Sequence, residues 1–487
     1  MSVRRNFAYS SILTLSSYFF PLITNPYVSR TLGVGGVGIV DFIDSIIDYA
    51  ILISMMGISI IGIREIASCK KEREKMSNTF SSLLVLNSIS TIIAIAIVTT
   101  IMFVVPTLAA HKNLLCIGIL KLLTNLFLIE WFYIGMESFP YITKRALIVK
   151  CLYVASIFIF IHDKSDSVVY YAITVSSIVI NATINVSHAR KFVKFSFRNI
   201  SIKPFLGVFF SNGIYKLVTS LYLSMNVAWL GFITDTVQVG YYTTATKLYT
   251  IIIALFTAFT GVMLPRLSSL ISEGKTDEFW QKIYLSVEAI FFFSFPVITY
   301  SIVNGDSILH FLVGDGFEGS YLPFRMIMPL IIVIGFSQIF VMQILLPMKK
   351  DHNVLCNAIL GATASIIINV LIVKHLGAVG SATTWICSEI IVAIASYLTI
   401  LRFADFKLPY ARFLKYLVAY TPCVLIFIIV HYYLDGNDKI LLFTTGTFAI
   451  FYSILVQQKF LKSEIYNSVL NHIQIKLLKK WHQTTLL

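Results

Sequence analysis

Long apolar segments recur along the whole chain, and they constrain its fold more than any other feature. About fourteen of them are long enough to cross a bilayer as helices. Charged residues form only 13% of the chain and hydrophobic residues 57%, so a soluble core could not bury them all. The sequence therefore predicts an all-α polytopic membrane protein. We assign spans 1 to 14 to residues 7–29, 38–61, 78–105, 114–136, 147–161, 168–187, 205–232, 239–264, 283–303, 324–346, 354–373, 381–401, 415–433 and 440–458.

The basic residues between the spans predict the orientation of the chain. With the N-terminus in the cytoplasm, roughly 29 of the 38 Lys and Arg residues fall in cytoplasmic segments, about 6 in external ones and about 3 inside spans. This asymmetry explains the net charge of +14 better than nucleic-acid binding does. We expect both termini to be cytoplasmic. The N-terminal apolar run leads straight into further spans, so an uncleaved first helix is favoured over a signal peptide.

An internal repeat divides the chain. The halves align without gaps at an offset of 202, which places Gly38 on Gly240, Arg64 on Arg266 and Thr14 on Lys216. Parallel repeats are a transporter architecture with the substrate site between the lobes. The predicted organisation is an N-lobe (1–190), a basic linker (191–203), a C-lobe (204–402), two added helices (403–458) and a basic cytoplasmic tail (459–487). The tail is compatible with either an amphipathic helix on the inner leaflet or a solvated segment.

Four repeat-related spans carry polar stripes at helical spacing. The stripes are Ser10, Thr14, Ser17, Pro21 and Thr24 in span 1; Asp41, Asp44 and Asp48 in span 2; Asn212, Lys216, Thr219, Tyr222 and Asn226 in span 7; and Thr243, Thr246, Lys247 and Thr250 in span 8. A charge at mid-bilayer costs at least about 2.5–3.5 kcal/mol, so such stripes imply water, protonation or partners. We therefore expect these spans to surround a hydrated cavity with an acidic N-lobe wall and a basic C-lobe wall.

The charged residues of these spans define the candidate site. The expected substrate-binding residues are Arg30, Lys216, Lys247, Arg64, Arg266 and Asn212; the expected ion-coupling residues are Asp41, Asp44, Asp48 and Glu130. Structural explanations remain open. Asp41 is also compatible with a solvated position at the outer mouth, and Lys216 and Lys247 with roles as partners of the aspartates. Lys121, Glu130, Glu288 and Glu389 are also compatible with interhelical pairs, and we expect His310 and His375 to be external and solvated.

Enzymatic chemistry finds little support in the sequence. The six cysteines show neither metal-ligand nor disulfide spacing, and no Walker loop indicates ATP hydrolysis. The glycines at 33–38 follow a transmembrane helix rather than a strand, so a tight external turn explains them better than a phosphate loop. We expect no cofactor, no metal and no enzymatic activity.

An ordered set of short motifs carries a family resemblance. Span 1 ends Pro26-Tyr27-Val28-Ser29-Arg30-Thr31-Leu32-Gly33, span 2 ends Gly62-Ile63-Arg64-Glu65-Ile66-Ala67, and span 4 ends Glu130-Trp131-Phe132-Tyr133-Ile134-Gly135-Met136-Glu137. Span 8 opens Val239-Gly240-Tyr241-Tyr242 and closes Leu264-Pro265-Arg266-Leu267-Ser268, followed by Gly314-Asp315-Gly316-Phe317, Gln343-Ile344-Leu345-Leu346-Pro347 and Leu376-Gly377-Ala378-Val379-Gly380. In this order the motifs resemble the O-antigen flippases of Wzx type, in the multidrug/oligosaccharidyl-lipid/polysaccharide exporter (MOP) superfamily.

The resemblance implies a function and a location. It implies alternating access by two six-helix lobes, and transfer of an undecaprenyl-diphosphate-linked oligosaccharide from the cytoplasmic to the periplasmic leaflet of a bacterial inner membrane. It implies a polysaccharide polymerase and a chain-length regulator as partners, and we expect a monomer. By position, Arg30, Arg64, Glu65, Glu137 and Arg266 fall in family motifs, with Arg64 and Arg266 at the cytoplasmic rim. The aspartates of span 2 depart from the small polar residues that the family often has there.

Three other functions remain open. An ion-coupled drug exporter of the same superfamily would favour the acidic stripe of span 2. A membrane-embedded sugar polymerase or glycosyltransferase would carry a large catalytic segment between spans, which the sequence lacks. A lipid-linked peptidoglycan precursor is a further cargo of the same chemistry.

Overall fold

The computed structural model describes residues 3–196, 200–434, 436–463 and 465–466, and all regular secondary structure in these ranges is helical. The α-helices are α1 (Val3–Met55), α2 (Ile58–Cys69), α3 (Arg73–Val104), α4 (Pro106–Ala109), α5 (Lys112–Asn125), α6 (Glu130–Gly135), α7 (Phe139–Phe160), α8 (Ser167–Ala189), α9 (Lys203–Leu223), α10 (Met225–Ile233), α11 (Thr236–Ser272), α12 (Thr276–Val313), α13 (Tyr321–Ile327), α14 (Leu330–Gln338), α15 (Asp351–Ile368), α16 (Lys374–Leu401), α17 (Tyr410–Tyr433) and α18 (Asp438–Leu455).

Shorter helical segments complete the described residues. Two 3₁₀ turns cover Lys164–Asp166 and Glu318–Ser320, and π-helical segments cover Ile339–Leu345, Asn369–Val373 and Val456–Phe460. Each π-helical segment continues an α-helix, so it lies within a longer helical rod. No strand occurs in the described ranges. The predicted all-α class is therefore confirmed. The predicted tail lies outside the described residues from 467 onward, and so do linker residues 197–199.

All fourteen predicted spans coincide with these helices. Among the described residues, seven helices are by length and composition able to cross a membrane, and up to eleven spans result when each bent pair counts as one. Two of these rods, Ala8–Cys69 and Asp351–Leu401, each contain two of the predicted spans. In both rods the helical backbone is broken at a glycine, Gly33 (φ 69°) or Gly377 (φ 53°), in the left-handed region that glycine adopts without steric cost. The chain therefore breaks its helix at Gly33, where the sequence predicts a tight turn; the external location of this turn remains a prediction.

The chain forms two compact units. Unit 1 comprises Met1–Thr243 with Asn369–Ser381, and unit 2 comprises Thr244–Ile368 with Ala382–Leu487. In the core of unit 1, α3 and α6 pack through the aromatic rings of Phe80, Trp131 and Phe132, and α2 contributes isoleucines to the same cluster. In unit 2, the long helix α12 packs against α17 through Phe291, Phe295 and Tyr416. The lobe and linker boundaries given above remain a prediction.

Unit 1 contains a close contact between the two halves of the repeat. A side chain at Gly38 would meet the carbonyl oxygen of Thr236 at 1.7 Å, and one at Gly240 would meet that of Val34 at 2.2 Å. In the repeat, Val34 aligns with Thr236 and Gly38 aligns with Gly240, and each glycine faces the carbonyl four residues before the other glycine. This reciprocal pattern is that of a two-fold axis. The starts of span 2 and of α11 therefore touch backbone to backbone.

Candidate functional site

The aspartates of span 2 form an ion-pair cluster with span 4. Asp44 and Asp48 lie one helical turn apart on α1, so their carboxylates project from the same face. The Lys121 ammonium on α5 donates to both, at 2.6 Å to Asp44 and 2.7 Å to Asp48. The Tyr171 hydroxyl on α8 donates to Asp44 at 2.8 Å. Two carboxylates thus share one ammonium, and the cluster keeps a net negative charge when all three groups are ionised.

Exposure differs sharply within this cluster. The Lys121 side chain is 11% exposed, that of Asp44 29% and that of Asp48 62%. The lysine is therefore held in the protein interior while Asp48 reaches an accessible surface. Lys121 thus forms the interhelical pair that the sequence left open as one explanation for this residue. The role of Asp41, Asp44 and Asp48 in ion coupling remains a prediction.

Glu130 belongs to a second ion pair of unit 1. The Arg145 guanidinium on α7 donates to its carboxylate at 2.8 Å and to the backbone carbonyl of Asn181 at 3.3 Å. The arginine side chain is only 4% exposed, and that of Glu130 is 49% exposed. The buried arginine is therefore neutralised by a carboxylate that stays accessible.

Lys150 is a charged residue that the sequence analysis did not single out. Its ammonium on α7 donates to the hydroxyls of Ser16 at 2.8 Å and Ser17 at 3.0 Å on α1. Span 5 was assigned from residue 147, which places Lys150 near the inner end; α7 begins at Phe139, which places it at the middle. The sequence feature that could have indicated Lys150 is the presence of three basic residues, Lys144, Arg145 and Lys150, within one helix.

Span 7 meets span 2 inside unit 1. The Tyr49 hydroxyl on α1 donates to the carbonyl of Ser220 on α9 at 2.9 Å. Gly57 and Gly213 make close approaches between the same two spans. Lys216 is half-buried on α9, and the side chain of Asn212 donates to the Val208 carbonyl of its own helix at 3.0 Å. The structure thus brings together two of the four spans predicted to line the site.

The remaining predicted site residues lie at several places. Arg30 is exposed at the end of span 1, and Asp41 is half-buried. The Arg64 guanidinium pairs with Glu65 at 2.9 Å and that of Arg266 with Glu278 at 2.8 Å, and both arginines are more than half exposed. Lys247 is half-buried on α11, in unit 2. The binding roles predicted for these residues stay predictions.

Unit 2 has its own buried ion pair. The Arg412 guanidinium on α17 donates to the Glu288 carboxylate on α12 at 2.9 Å, and the Tyr416 hydroxyl donates to the same carboxylate at 2.9 Å. Gln457 lies 3.2 Å from the Tyr416 hydroxyl. Glu288 thus forms the interhelical pair that the sequence left open, and it ties span 9 to the two added C-terminal spans.

Helices of this length and apolar composition define a multi-pass membrane protein. The chain belongs to the polysaccharide biosynthesis protein family, whose family model matches residues 3–271. A candidate O-antigen transporter of Escherichia coli (strain K12) is 25% identical over 358 residues, which cover 72% of this chain and 85% of that protein. The resemblance carried by the sequence motifs is thereby confirmed at the level of this family.

Solved structures share the fold. A lipid II flippase MurJ in an inward closed conformation matches with a TM-score of 0.73 and 15% identity, over 96% of this chain and 100% of that one. An outward-facing multidrug resistance MATE transporter matches with a TM-score of 0.53 and 15% identity, over 81% and 93%. A MOP superfamily transporter from Pyrococcus furiosus matches with a TM-score of 0.55 and 15% identity, over 80% and 93%. At these identities the matches establish the polytopic fold alone.

Proposed function

We propose that this protein flips an undecaprenyl-diphosphate-linked oligosaccharide, an O-antigen or capsule repeat unit, from the cytoplasmic to the periplasmic leaflet of a bacterial inner membrane. The observation that carries the proposal is the family match over residues 3–271, together with the similarity to a candidate O-antigen transporter. Both termini are cytoplasmic in this proposal. The cargo is handed to a polysaccharide polymerase and its chain-length regulator, and the transporter acts as a monomer without nucleic acid or cofactor.

The physics of the cargo favours a helical bundle with internal charges. A diphosphate and a row of sugar hydroxyls cannot enter hydrocarbon alone, because each unpaired polar group costs several kcal/mol. A polyprenyl tail can stay in lipid throughout. The cations Arg30, Lys216 and Lys247 on spans 1, 7 and 8 would pair the phosphates, while Arg64 and Arg266 would meet the headgroup at the cytoplasmic rim.

The acidic cluster supports ion coupling of the transport cycle. Asp44 and Asp48 share a single lysine, so the cluster can take up a proton or a metal cation without leaving Lys121 unpaired. Occupancy of that site would then bias one of two conformations, which is the requirement for coupling. Collapse of the proton or sodium gradient should slow flipping. Transport that is unaffected by loss of either gradient would remove this part of the proposal.

A drug exporter of the same superfamily is the second candidate. It is favoured by the same excess of negative charge at Asp44 and Asp48, which suits small amphipathic cations. It would confer drug resistance on a sensitised strain, whereas the flippase would not. A sugar polymerase or glycosyltransferase would instead show sugar transfer by the purified protein.

The deciding experiment is a deletion of the gene in its native host. We expect lipid-linked repeat units to accumulate in the cytoplasmic leaflet, surface polysaccharide to disappear, and the wild-type chain to restore it. A strain that lacks surface polysaccharide for other reasons, such as loss of the polymerase, should still move the units outward and serves as the control. Normal polysaccharide in the deletion strain would contradict the proposal.

A further inference from the structure

We propose that Lys150, held by Ser16 and Ser17, is a phosphate-binding site at the middle of α7. This inference rests on the proposed function, because it assigns the site to the diphosphate of the lipid-linked cargo. It adds a residue that neither the stripe of span 1 nor the repeat identifies.

The position of the lysine within α7 is the first argument. Lys150 lies eleven residues after Phe139 and ten before Phe160, the ends of α7, so its Cα is about 15 Å from either end of the helix. The sequence also places Lys150 inside predicted span 5. A lysine within a span carries an insertion cost, so its charge needs a reason.

The contacts of the lysine leave its charge uncompensated. The hydroxyls of Ser16 and Ser17 both donate to the carbonyl of Leu13, at 2.6 and 3.1 Å, so their oxygen lone pairs are turned toward the ammonium. These neutral oxygens orient the ammonium without cancelling its charge. The Phe20 ring lies 6.0 Å from Nζ and adds a weak cation–π contact.

Other cations of the same unit contrast with Lys150. Lys121 has two carboxylates and Arg145 has one within 2.8 Å. Glu130 is the carboxylate that acts on Lys150 electrostatically, but its oxygen is bonded to Arg145. An ammonium donates three hydrogen bonds, and the two serines take two of them. An anionic oxygen is the ligand that would complete this arrangement.

A purely structural role explains the lysine less well. The Thr143 hydroxyl donates to the Tyr9 carbonyl at 3.0 Å, and the Tyr27 hydroxyl bonds to the Ile161 carbonyl at 2.6 Å. Neutral side chains therefore already join α1 and α7 on both sides of Lys150. A lysine that only joined these two helices would add the insertion cost of a charge, although a neutral glutamine could make the same hydrogen bonds.

The site is reachable and lies beside apolar surface. Ser17 is exposed and Lys150 is half-exposed. Helix α1, which carries Ser17, also exposes the side chains of Leu15 and Phe19, at 61% and 59%, as expected for a helix in contact with acyl chains. A lipid-linked diphosphate could therefore reach Lys150 with its tail still in hydrocarbon.

Binding of farnesyl diphosphate and of farnesol to the full-length protein in nanodiscs tests the site. We expect the wild type to prefer the diphosphate. Lys150→Gln, which can still bond to both serines, should weaken diphosphate binding by about tenfold or more and leave farnesol binding unchanged. Lys150→Arg should retain the preference. The matched control is Lys144→Gln, an exposed lysine on the same helix, which should bind like the wild type. Equal diphosphate affinity in Lys150→Gln and the wild type would overturn the proposal.

A second variant protects the test against misfolding. Ser17→Asp places a carboxylate beside Lys150 and should neutralise it, with loss of diphosphate binding, while Ser17→Asn should not. Undiminished binding in Ser17→Asp would also overturn the site.

In the deletion strain, failure of the wild-type chain to restore polysaccharide would refute the proposed function. Full restoration by both the wild type and Lys150→Gln would refute only the role of Lys150.

Discussion

Gly38 and Gly240, which the sequence repeat aligns at an offset of 202, lie against each other in the structure. A Cβ atom at Gly38 would lie 2.8 Å from the Gly240 nitrogen. Each glycine also faces the carbonyl four residues before the other, Val34 for Gly240 and Thr236 for Gly38. A contact that maps onto itself under exchange of the two halves implies a local two-fold axis between the starts of α11 and of span 2.

This contact predicts the effect of adding one methyl group. Gly38→Ala or Gly240→Ala should push the two backbones apart, because the new Cβ would lie 1.7 or 2.2 Å from a carbonyl oxygen. Overpacking of this kind costs about 1–3 kcal/mol or more. We expect a lower melting temperature of the purified protein and less surface polysaccharide. Gly207→Ala is the control, because nothing lies within 4 Å of its Cβ position. A Gly38→Ala protein as stable and active as this control would contradict the contact.

Lys121 carries the next prediction. Lys121→Ala should destabilise unit 1, because Asp44 and Asp48 would face each other without a cation. Removing one partner of a buried pair costs about 3–5 kcal/mol, and the 62% exposure of Asp48 should bring the loss nearer to about 2. Thermal unfolding in detergent measures it.

Removal of the carboxylates provides the control for Lys121. Asp44→Asn with Asp48→Asn in the Lys121→Ala background should recover much of the stability, since no unpaired charge remains. The same triple variant should lose gradient dependence if the cluster couples ions. A triple variant less stable than Lys121→Ala would show that the ion pairs are not the reason for the loss.

The helices could be predicted from sequence, but their contacts could not. Apolar length fixes the position of each span, and the repeat indicates that Gly38 and Gly240 are equivalent. Apolar length does not predict where a helix ends in water, because backbone hydrogen bonds continue past the apolar run. Helix α12, for example, begins at Thr276 rather than at residue 283. The partner of Asp44 depends on how α1 and α5 are rotated about their axes, which hydropathy does not specify. Lys150 was not singled out because span 5 was assigned from residue 147, which places this lysine close to the start of the span.

His310 should make stability depend on pH where the end of α12 meets the start of α18. Its ring nitrogens bond to Asp438 and, at 2.9 Å, to Asp315. These hydrogen bonds raise the pKa of His310 above its usual range. A raised pKa means that the stabilisation is complete below about pH 6.5, the unfolded value, and is lost as the pH rises through the folded value.

Melting temperatures measured between pH 5.5 and pH 8.5 test this histidine. The wild type should melt at higher temperature at the acidic end, and His310→Gln should reduce that difference. His375→Gln, at an exposed position, is the control and should keep the wild-type pH dependence. A pH dependence that survives in His310→Gln would assign it to another group.

The Glu288–Arg412 pair should determine how firmly the two added spans attach within unit 2. The Glu288 side chain is 11% exposed and that of Arg412 is 32% exposed, so solvent screens the pair only partly. Arg412→Ala leaves the carboxylate beside Tyr416 without its cation and should lower the stability by about 2–3 kcal/mol. Glu288→Gln should be milder, because an amide can still accept from Tyr416.

A double-mutant cycle isolates the interaction of Glu288 with Arg412. We expect a coupling energy of about 1–3 kcal/mol from thermal unfolding of both single variants and the double variant. The matched control is the Glu273–Lys275 pair, whose side chains are 41% and 56% exposed and whose removal should leave the melting temperature unchanged. Proteolysis should also release a fragment containing α17 and α18 faster in Arg412→Ala. Additive single effects, with no coupling, would mean that aromatic packing around Phe291 and Phe295 holds these helices by itself.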